Sequence, residues 1–334
     1  GVVLQPNGEP AANASVLLCT SRAGVTMDGP AHVQKQVNTT PYQAQTDSSG
    51  KFSLAAATDP QGLIIIHDQG YAEIPAAESA NIGNITLQPW GKVKGRLMRG
   101  SQPAANEQIA IHNQVIHYTD SGCNFGYLTF NLETTTDADG DFSFDKVPPG
   151  SCTVMHEQGS AGAGFSSDNT TVNVTAGAVT EVTLGGTGRM ILGKAVLPVT
   201  AGFVDWQKVV VRIQSKGDNR PNSRPKREDF PTFDAFVTAS DDFFHSYQYQ
   251  KRFGAFCEPD GSFQVLDVPA GTYELKIDVR DSKQNSAAPH DFTDPNPLLD
   301  SVVREIIIPD DKSTEPVDLG TLELVPQQTN VSAR

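Results

Sequence analysis

The fold is decided by the stretch TDADGDFSF (Thr136–Phe144), which runs directly into DKVPPGSCTVMH (Asp145–His156). A polar turn containing Gly140 comes first, because glycine readily adopts the positive φ that such a turn needs. Phe142 and Phe144 then alternate with polar residues, which is the period-two pattern of a strand with one buried face. Proline and glycine mark a corner before the next alternating strand. The stretch therefore predicts a tight turn and two consecutive strands.

The same signature occurs twice more, as TDSSGKFSL (Thr46–Leu54) and EPDGSFQV (Glu258–Val265). In the third copy LDVPAGTYELKI (Leu266–Ile277) parallels the corner and the strand that follow it. The first copy has a reduced version, DPQGLIIIHDQG (Asp59–Gly70). Such internal repetition is typical of tandem domains. We expect one inward-facing aromatic anchor in each copy, namely Phe52, Phe142 and Phe263.

Domain starts and ends repeat as well. GVVLQPNGEPAAN at the start of the chain aligns with GRLMRGSQPAAN from Gly95, and we place a third start, GRMILGKAVLP, at Gly188. Each copy ends on a similar short strand: NIGNITL, VTEVTL or DLGTLEL. These landmarks predict an all-β fold of three tandem immunoglobulin-like or prealbumin-like Greek-key β-sandwiches, each with a separate core.

The predicted domains are residues 1–89 (repeat 1), 90–186 (repeat 2) and 187–326 (repeat 3), followed by a tail at 327–334. Repeat 3 is longer because it carries an insert at about 215–256. Linkers are almost absent, since LQPWGKVKG runs from one repeat into the next. Trp90 lies at this junction, and we expect its ring to pack between the domains and stiffen the array.

The combination of G-x-P-A-A-N, T-D-x-x-G-x-F-x-F, V-P-P-G, H-[DE]-x-G and L-Q-P-W-G-K-V-K-G resembles the carboxypeptidase regulatory-like domain. That family has a prealbumin-like (transthyretin-like) sandwich and is related to Cna B-type adhesin repeats. The resemblance covers nearly the whole chain, least closely between about 215 and 256. It implies domains that perform no chemistry themselves, in tandem arrays of bacterial envelope proteins that are often fused to a redoxin or a membrane metallopeptidase.

The resemblance implies an extracytoplasmic location, either periplasmic or at the cell surface. The chain begins without methionine and contains no redoxin or peptidase motif, so we expect a fragment of a larger protein fused to further domains. Its net charge of −14, from 39 acidic and 25 basic residues, disfavours nucleic acid and anionic lipid as partners. No apolar run is long enough for membrane insertion.

Four cysteines, Cys19, Cys123, Cys152 and Cys257, form no C-x-x-C pair. A zinc ribbon or thioredoxin-type motif is therefore not indicated. Three pairings remain open in an oxidising compartment, as does the alternative that the cysteines are buried free thiols.

Several motifs suggest chemistry, and each has a structural explanation. The DADGD turn (Asp137–Asp141) is reminiscent of a calcium loop, but the equivalent turns in the other copies keep a single aspartate. His67 and His156 recur at equivalent positions without a third metal ligand nearby, so we expect them to end core strands and bond to a neighbouring loop. Lys194 could supply the lysine of an isopeptide bond, but the final strand of its repeat has no asparagine to face it. GSAGAG (Gly159–Gly164) lacks the strand-then-helix context of a nucleophile elbow. We therefore expect no catalytic residue, no metal ligand and no cofactor.

The insert of repeat 3 is unusual because aromatic residues are concentrated there, next to basic ones. One interpretation is that the aromatic residues extend the sheet and pack on its core. The other is a face that binds carbohydrate or peptide, since inserts on a rigid scaffold commonly acquire binding functions. The candidate ligand-binding residues are Phe243, Phe244, Tyr247, Tyr249 and Arg252.

The sequence thus predicts a non-enzymatic structural or interaction module, a rigid multi-domain spacer in an extracytoplasmic bacterial protein. The alternative is a carbohydrate- or peptide-binding module of an envelope sensor or glycan-processing system. Binding to glycans that disappears in a Tyr247→Ala/Tyr249→Ala variant would favour the alternative.

Overall fold

The structure is a computed structural model. It describes residues 1–20, 24–33, 42–57, 59–75, 83–113, 116–119, 122–125, 128–158, 165–197, 204–216, 225–232, 235–236, 238–240, 252–280, 298–311 and 313–326. Within these ranges no helix is both long and apolar enough to cross a membrane. Helical structure in the described residues is limited to two short 3-10 helices, Trp206–Lys208 and Arg227–Asp229, and to helical residues at 235–236 and 238–240.

Repeat 1 contributes strands β1 (Val2–Leu4), β2 (Ser15–Thr20), β3 (Val25–Gly29), β4 (His32–Val33), β5 (Gln43–Gln45), β6 (Pro60–His67), β7 (Gly70–Pro75) and β8 (Asn84–Thr86). Repeat 2 contributes β9 (Gly91–Arg99), β10 (Gln102–Pro103), β11 (Gln108–His112), β12 (Ile116–Thr119), β13 (Gly122–Phe125), β14 (Leu128–Thr135), β15 (Asp141–Val147), β16 (Gly150–Gln158), β17 (Phe165–Val174) and β18 (Val179–Gly185). Repeat 3 contributes β19 (Arg189–Val196), β20 (Val210–Ser215), β21 (Arg252–Phe256), β22 (Ser262–Val268), β23 (Gly271–Arg280), β24 (Leu298–Ile308), β25 (Val317–Glu323) and β26 (Val325–Pro326).

The strands form stacked sheets, and the all-β sandwich class is confirmed. Repeat 1 has the sheets β1-β8 and β5-β2-β6-β7, and repeat 3 has β22-β19-β25 and β21-β20-β23-β24-β26. In repeat 2, β9 lies between β15 and β18 and also pairs with β10. In each repeat the first strand pairs in parallel with a strand at or near the end of the repeat: β1 with β8, β9 with β18, and β19 with β25, which only the two-residue β26 follows. This shared topology supports the repeat interpretation.

A buried threonine explains why P-A-A-N and T-D-x-x-G occur together. The Thr46 hydroxyl donates to the carbonyl of Ala11 (2.5 Å) and accepts the N–H of Ala14 (2.8 Å), while Asn13 takes a positive φ of 62°. Thr136 makes the equivalent two bonds in repeat 2, at 2.7 and 2.9 Å. Each hydroxyl thus satisfies two backbone groups away from water, which ties the first turn of a repeat to its central hairpin.

The aromatic anchors pack directly over glycines. Phe142 lies opposite Gly95 in the sheet, and Phe263 lies opposite Gly193. A Cβ added to either glycine would fall 2.3 or 2.4 Å from the ring Cζ, so each ring fills the space of the missing side chain. Gly193, and not Gly188 where we placed the third start, is therefore the counterpart of Gly95.

Two hydrophobic cores lie within single repeats. The core of repeat 1, with half-buried Phe52 packed against it, includes Val3, Val16, Leu63, Ile65 and Leu87. The core of repeat 3 surrounds Ile191, Val211, Phe263, Leu275 and Ile277.

The expectation of three separate cores is wrong for the first two repeats. One buried cluster joins Leu17, Met27 and Ile64 of repeat 1 to side chains of repeat 2 that include Ile109 and Phe130. The reason is that β2 and β6 bury apolar side chains on both faces. One face covers the core of repeat 1, and the other must be shielded from water by a second layer, which repeat 2 supplies.

The sheet itself also continues from repeat 1 into repeat 2. Strand β14 pairs in parallel with β3, with Leu128 opposite Val25 and Phe130 opposite Met27. The result is a six-stranded sheet in the order β17-β16-β11-β14-β3-β4. The domain boundary at 89/90 stays a prediction, and it passes through a junction where both sheet and core are shared.

Candidate functional site

The described residues that combine burial, charge and contact between repeats lie at the two junctions between repeats, which we call seams: one between repeats 1 and 2, and one between repeats 2 and 3. At the seam of repeats 1 and 2, Trp90 is 9% exposed and stacks on Tyr71, with ring centroids 5.4 Å apart. Its indole N–H donates to the carbonyl oxygen of His67 (3.0 Å). The expectation that Trp90 packs between the repeats is confirmed.

A surface ion pair lies next to this stack. Lys146, near the end of β15 and just before the corner that leads to β16, contacts the carboxylate of Asp68, just after β6. The lysine lowers the pKa of Asp68. The same corner approaches repeat 1 through the carbonyl of Pro149, 3.5 Å from the Tyr71 hydroxyl. The VPPG corner of repeat 2 therefore meets the HDQG end of repeat 1.

The seam of repeats 2 and 3 contains a buried polar cluster centred on Arg99, at the end of β9. The Arg99 side chain is 14% exposed and donates to Asp168 Oδ2 (3.0 Å) and to His156 Nδ1 (2.5 Å). The opposite ring nitrogen of His156 lies 2.9 Å from Glu107 Oε2. Because a guanidinium group only donates, Nδ1 is the acceptor and Nε2 carries the proton that Glu107 accepts.

Repeat 3 supplies Asp267 to the same cluster. Its carboxylate accepts the backbone N–H groups of Gly186 and Gly188 (2.6 Å for Gly188), which lie in the connection from β18 to β19. Arg99 Nη1 lies 4.0 Å from Asp267 Oδ2. The side chain of Asp267 is fully buried, so one carboxylate fixes the connection and also faces the cation of repeat 2.

Backbone conformation marks this seam as well. Asp168 and Asp267 have φ of 55° and 59°, in the left-handed region that residues other than glycine seldom adopt. Both hold this conformation while their carboxylates face Arg99. Such positions persist where the surrounding contacts determine the backbone, and they commonly mark functional sites.

Burial, together with charge in the cluster, shifts the pKa values of His156 and Asp168. Burial, reinforced by the positive charge of Arg99, lowers the pKa of His156 to about 4, so this imidazole is neutral at pH 7. Burial raises the pKa of Asp168, although Arg99 and the Ser167 hydroxyl act in the opposite direction. The neutral imidazole lets Arg99 approach without repulsion.

Ser167, His156 and Glu107 have the composition of a catalytic triad, which sequence spacing did not reveal. The Ser167 hydroxyl lies 3.1 Å from His156 Nδ1 but donates to Asp168 Oδ2 at 3.0 Å. A general base needs a free ring nitrogen, and Arg99 already occupies Nδ1. Ser167 is 2% exposed, which leaves no room for a substrate. The geometry therefore fits a buried structural network.

The two seams are built from equivalent positions of the repeats. In each, the residue before the valine of a V-P-x-G corner contacts the preceding repeat: Lys146 at the first seam and Asp267 at the second. The histidine that recurs at this position in repeats 1 and 2 lies at the contact, His67 through its carbonyl and His156 through its ring. Both histidines lie at or near the ends of core strands and bond to neighbouring segments, as we expected.

The turns with calcium-like spacing use their carboxylates internally. Asp137 Oδ1 accepts the N–H groups of Asp139 and Asp141, both at 2.9 Å, and Asp141 forms two bonds to Arg96 (2.5 and 2.9 Å). Lys194 donates to Asp260 in the repeat 3 turn (2.8 Å). Among the described residues, no group of three His, Cys, Asp or Glu side chains is arranged to hold a metal.

Three cysteines, Cys19, Cys152 and Cys257, are buried, and burial raises the pKa of each thiol to about 12. Cys257 occupies the position of Thr46 and Thr136, and its N–H donates to the carbonyl of Val209 (3.0 Å). Buried thiols with raised pKa values are poor nucleophiles. The side chain of Cys123 lies outside the described residues.

Of the candidate ligand-binding residues in the insert, Phe243, Phe244, Tyr247 and Tyr249 lie outside the described residues. Arg252 begins β21, is half-buried and pairs with Gln214 of β20. The insert thus joins two neighbouring antiparallel strands. The aromatic binding face stays a prediction.

No family model matches this chain, and no curated protein matches it. Solved structures with some similarity include the Bacillus anthracis TIE protein, with 10% identity and a TM-score of 0.23 over 97% of this chain and 49% of that protein. The chain thus spans about half the length of the TIE protein.

GBS52, the minor pilin of Streptococcus agalactiae, has 13% identity and a TM-score of 0.26 over 73% of this chain and 100% of its own. A DUF3823 family protein from Parabacteroides merdae has 13% identity and a TM-score of 0.21, covering 57% of this chain and 91% of its own. Similarity this low carries no argument about function, and the resemblance to carboxypeptidase regulatory-like domains stays a prediction.

Proposed function

We propose that this chain is a non-catalytic spacer that holds its repeats, and the domains joined to them, in a fixed relative orientation. The observation that carries the proposal is that each seam is closed by buried contacts between the repeats. A spacer with free joints would instead have exposed, polar linkers rich in glycine or proline between self-contained domains.

The first seam supports a fixed orientation because a hinge there would open the shared core. Bending would pull Met27 away from Phe130 and expose aliphatic side chains that are now buried. Exposing apolar surface costs about 25 cal/mol for each Å². A shared core therefore opposes bending over the whole contact.

The second seam supports it through polar contacts. Arg99 and Asp267 lie in different repeats, and Asp267 also holds the connecting backbone through two N–H groups. Separating the repeats would take the fully buried Asp267 carboxylate away from Arg99 and from the Gly186 N–H, and loss of partners by a buried charge is destabilising. The cluster therefore disfavours separation of repeats 2 and 3.

We place this spacer in an extracytoplasmic bacterial protein. The resemblance to envelope arrays supports this placement, and the acidic surface is compatible with it. A tag fused to this chain within the full-length protein should be digested when protease is added to intact cells or to cells with a permeabilised outer membrane. Protection in both preparations would contradict the placement.

Distances between paired spin labels test the fixed orientation at the second seam. Labels on Glu181→Cys in repeat 2 and Asp310→Cys in repeat 3 should give a single narrow distance distribution, because both sites are exposed and the seam between them is closed. Adding Arg99→Ala and Asp267→Ala should broaden it. The unmodified chain, labelled in parallel, shows how much of the signal comes from labels on its native cysteines.

Arg189→Ala is the matched control, because Arg189 is also 14% exposed and its partners, Asp311 and Glu315, belong to its own repeat. This control should leave the distribution narrow. A broad distribution before any seam substitution would refute the proposed function, whether or not the repeats bind a ligand.

A further inference from the structure

Strand β24 has an open edge along most of its length. On one side it pairs with β23 from Leu298 to Ile308. On the other side β26 pairs only with Asp300 and Ser301. Within the described part of the chain, the stretch Val302–Ile308 thus has a strand on one side only, and its outer backbone groups can pair with another strand.

This edge also exposes large aliphatic side chains. Val303 is 56% exposed, Ile307 is 65% exposed and Val325 on β26 is 61% exposed. They account for three of the five large hydrophobic side chains with high exposure among the described residues, the others being Val179 and Leu266. Exposed aliphatics on an unpaired edge are typical of a strand that recruits a partner strand.

The open stretch is complementary to itself. Its midpoint is Glu305, and antiparallel pairing of two copies about this residue places Val303 of one opposite Ile307 of the other. The same register places Val302 opposite Ile308 and Arg304 opposite Ile306. Paired residues then project on the same side, as an antiparallel ladder requires. Shifting the register by one residue would set the core-facing side of one strand beside the outward-facing side of the other.

We propose that two copies of this chain associate through β24, forming an antiparallel pair over Val302–Ile308 that joins two five-stranded sheets. The partner is a second copy because four of the five aliphatic residues, Val302, Val303, Ile307 and Ile308, lie symmetrically about the midpoint. The contact is short, and interfaces that bury less than about 1,200 Å² are weak and transient. Attachment of many chains to one surface would raise their effective concentration and favour the pair.

The only pairing of like charges in this register is at its centre, where two copies of Glu305 meet. Each Glu305 contacts Lys216 of its own chain and lies opposite Glu274 on β23. The lysine offsets part of the repulsion, and the remainder should limit affinity. Glu305→Gln should therefore tighten the dimer by about two- to five-fold, the effect of relieving one unfavourable cross-strand pair.

Sedimentation velocity over a series from micromolar to millimolar concentration tests the proposal. The unmodified chain should shift from monomer to dimer, and Val303→Lys/Ile307→Lys should remain monomeric because edge lysines block pairing. Both side chains are exposed, so the variant keeps its core. Val179→Lys is the matched control, since this valine is 53% exposed on β18 and should not alter association.

Cysteine cross-linking tests the register. Cross-strand partners have Cβ atoms about 4.5–5.5 Å apart, so Glu305→Cys should form a dimer disulfide on mild oxidation. Arg304→Cys should cross-link more slowly, because residue 304 lies opposite 306. A chain that stays monomeric throughout, a dimer that survives the double lysine substitution, or faster cross-linking at 304 would each overturn the proposal. Capture of an extended segment from another protein by a monomeric chain would overturn it too.

Discussion

Met27→Ala tests whether repeats 1 and 2 fold as one unit. Met27 belongs to repeat 1, is fully buried and lies opposite Phe130 of repeat 2. Truncating a buried methionine to alanine costs about 2–5 kcal/mol, from lost burial and from the cavity left behind. If the core is shared, this loss should reach strands that contain no residue of repeat 1.

Hydrogen exchange measures the effect strand by strand. Amides of β11 and β16 lie in the middle of repeat 2, and a loss of 2 kcal/mol or more should speed their exchange about thirty-fold or more where it requires unfolding of the unit. Amides of β23 in repeat 3 should not change. Trp206, one of two tryptophans, reports repeat 3 independently by fluorescence in a Trp90→Phe background.

Leu275→Ala provides the converse control, because Leu275 is fully buried in the core of repeat 3. It should speed exchange in β23 and leave β11 and β16 unchanged. If Met27→Ala accelerates exchange only in the strands of repeat 1, the shared core does not couple the unfolding of repeats 1 and 2, and the two repeats are not held as one unit.

Thr136→Val should lower the free energy of unfolding by about 1–3 kcal/mol in chemical denaturation, because two buried backbone groups lose their partner, whereas Thr136→Ser should restore most of it. Asp267→Asn keeps a residue that tolerates positive φ but removes the charge, so the two glycine amides at the second seam should exchange about ten-fold faster; unchanged rates would contradict their dependence on the carboxylate. The lowered pKa of His156 means that the unfolded chain binds a proton first as pH falls, so stability should decrease by up to about 3 kcal/mol between pH 6.5 and 4 and level off below. The raised pKa of Asp168 opposes this decrease, so His156→Gln should flatten the loss in urea titrations, and an unaltered slope would exclude His156 as its source.

The parts of the fold that could be predicted from the sequence are local. Asp137, Gly140 and Phe142 lie within a few residues of one another, and their turn and strand follow from backbone chemistry and alternation. The role of Thr136 could not be predicted, because its partners lie about thirty residues earlier in the chain and a threonine before a turn resembles any other polar residue.

The sequence does contain a pattern that indicates the core shared by repeats 1 and 2, but the alternating pattern of the other strands drew attention away from it. LIII in β6 is a continuous apolar run, which is typical of a strand covered on both faces. Its neighbour β2 is similar, with Val16 and Leu17 both buried. Period-two reasoning assigns one face to water, and for this reason it predicted an isolated first domain.

The polar cluster at the second seam could not be predicted from any pattern in the sequence. Arg99, Asp168 and Asp267 are far apart in the sequence, and each is typical of a solvated surface residue when considered alone. Only the fold brings them together, and burial then changes their pKa values and backbone conformations. His156 was singled out by its recurrence, but its tautomer depends on Arg99, a contact that spacing does not predict.

The parallel pairing of the first strand of each repeat with a strand at or near its end determines how the chain would respond to mechanical force. A pull on the two ends of repeat 1 or repeat 2 enters through the first strand and leaves through its parallel neighbour, so the ladder is loaded along the strands and its hydrogen bonds share the load. Repeat 3 is similar, although the two-residue β26 follows β25. The ladders contain three register pairs in repeat 1 (β1 with β8), seven in repeat 2 (β9 with β18) and five in repeat 3 (β19 with β25). Repeat 1 has the shortest of these parallel ladders, and the core layer it shares with repeat 2 is what would keep it from unfolding first under force.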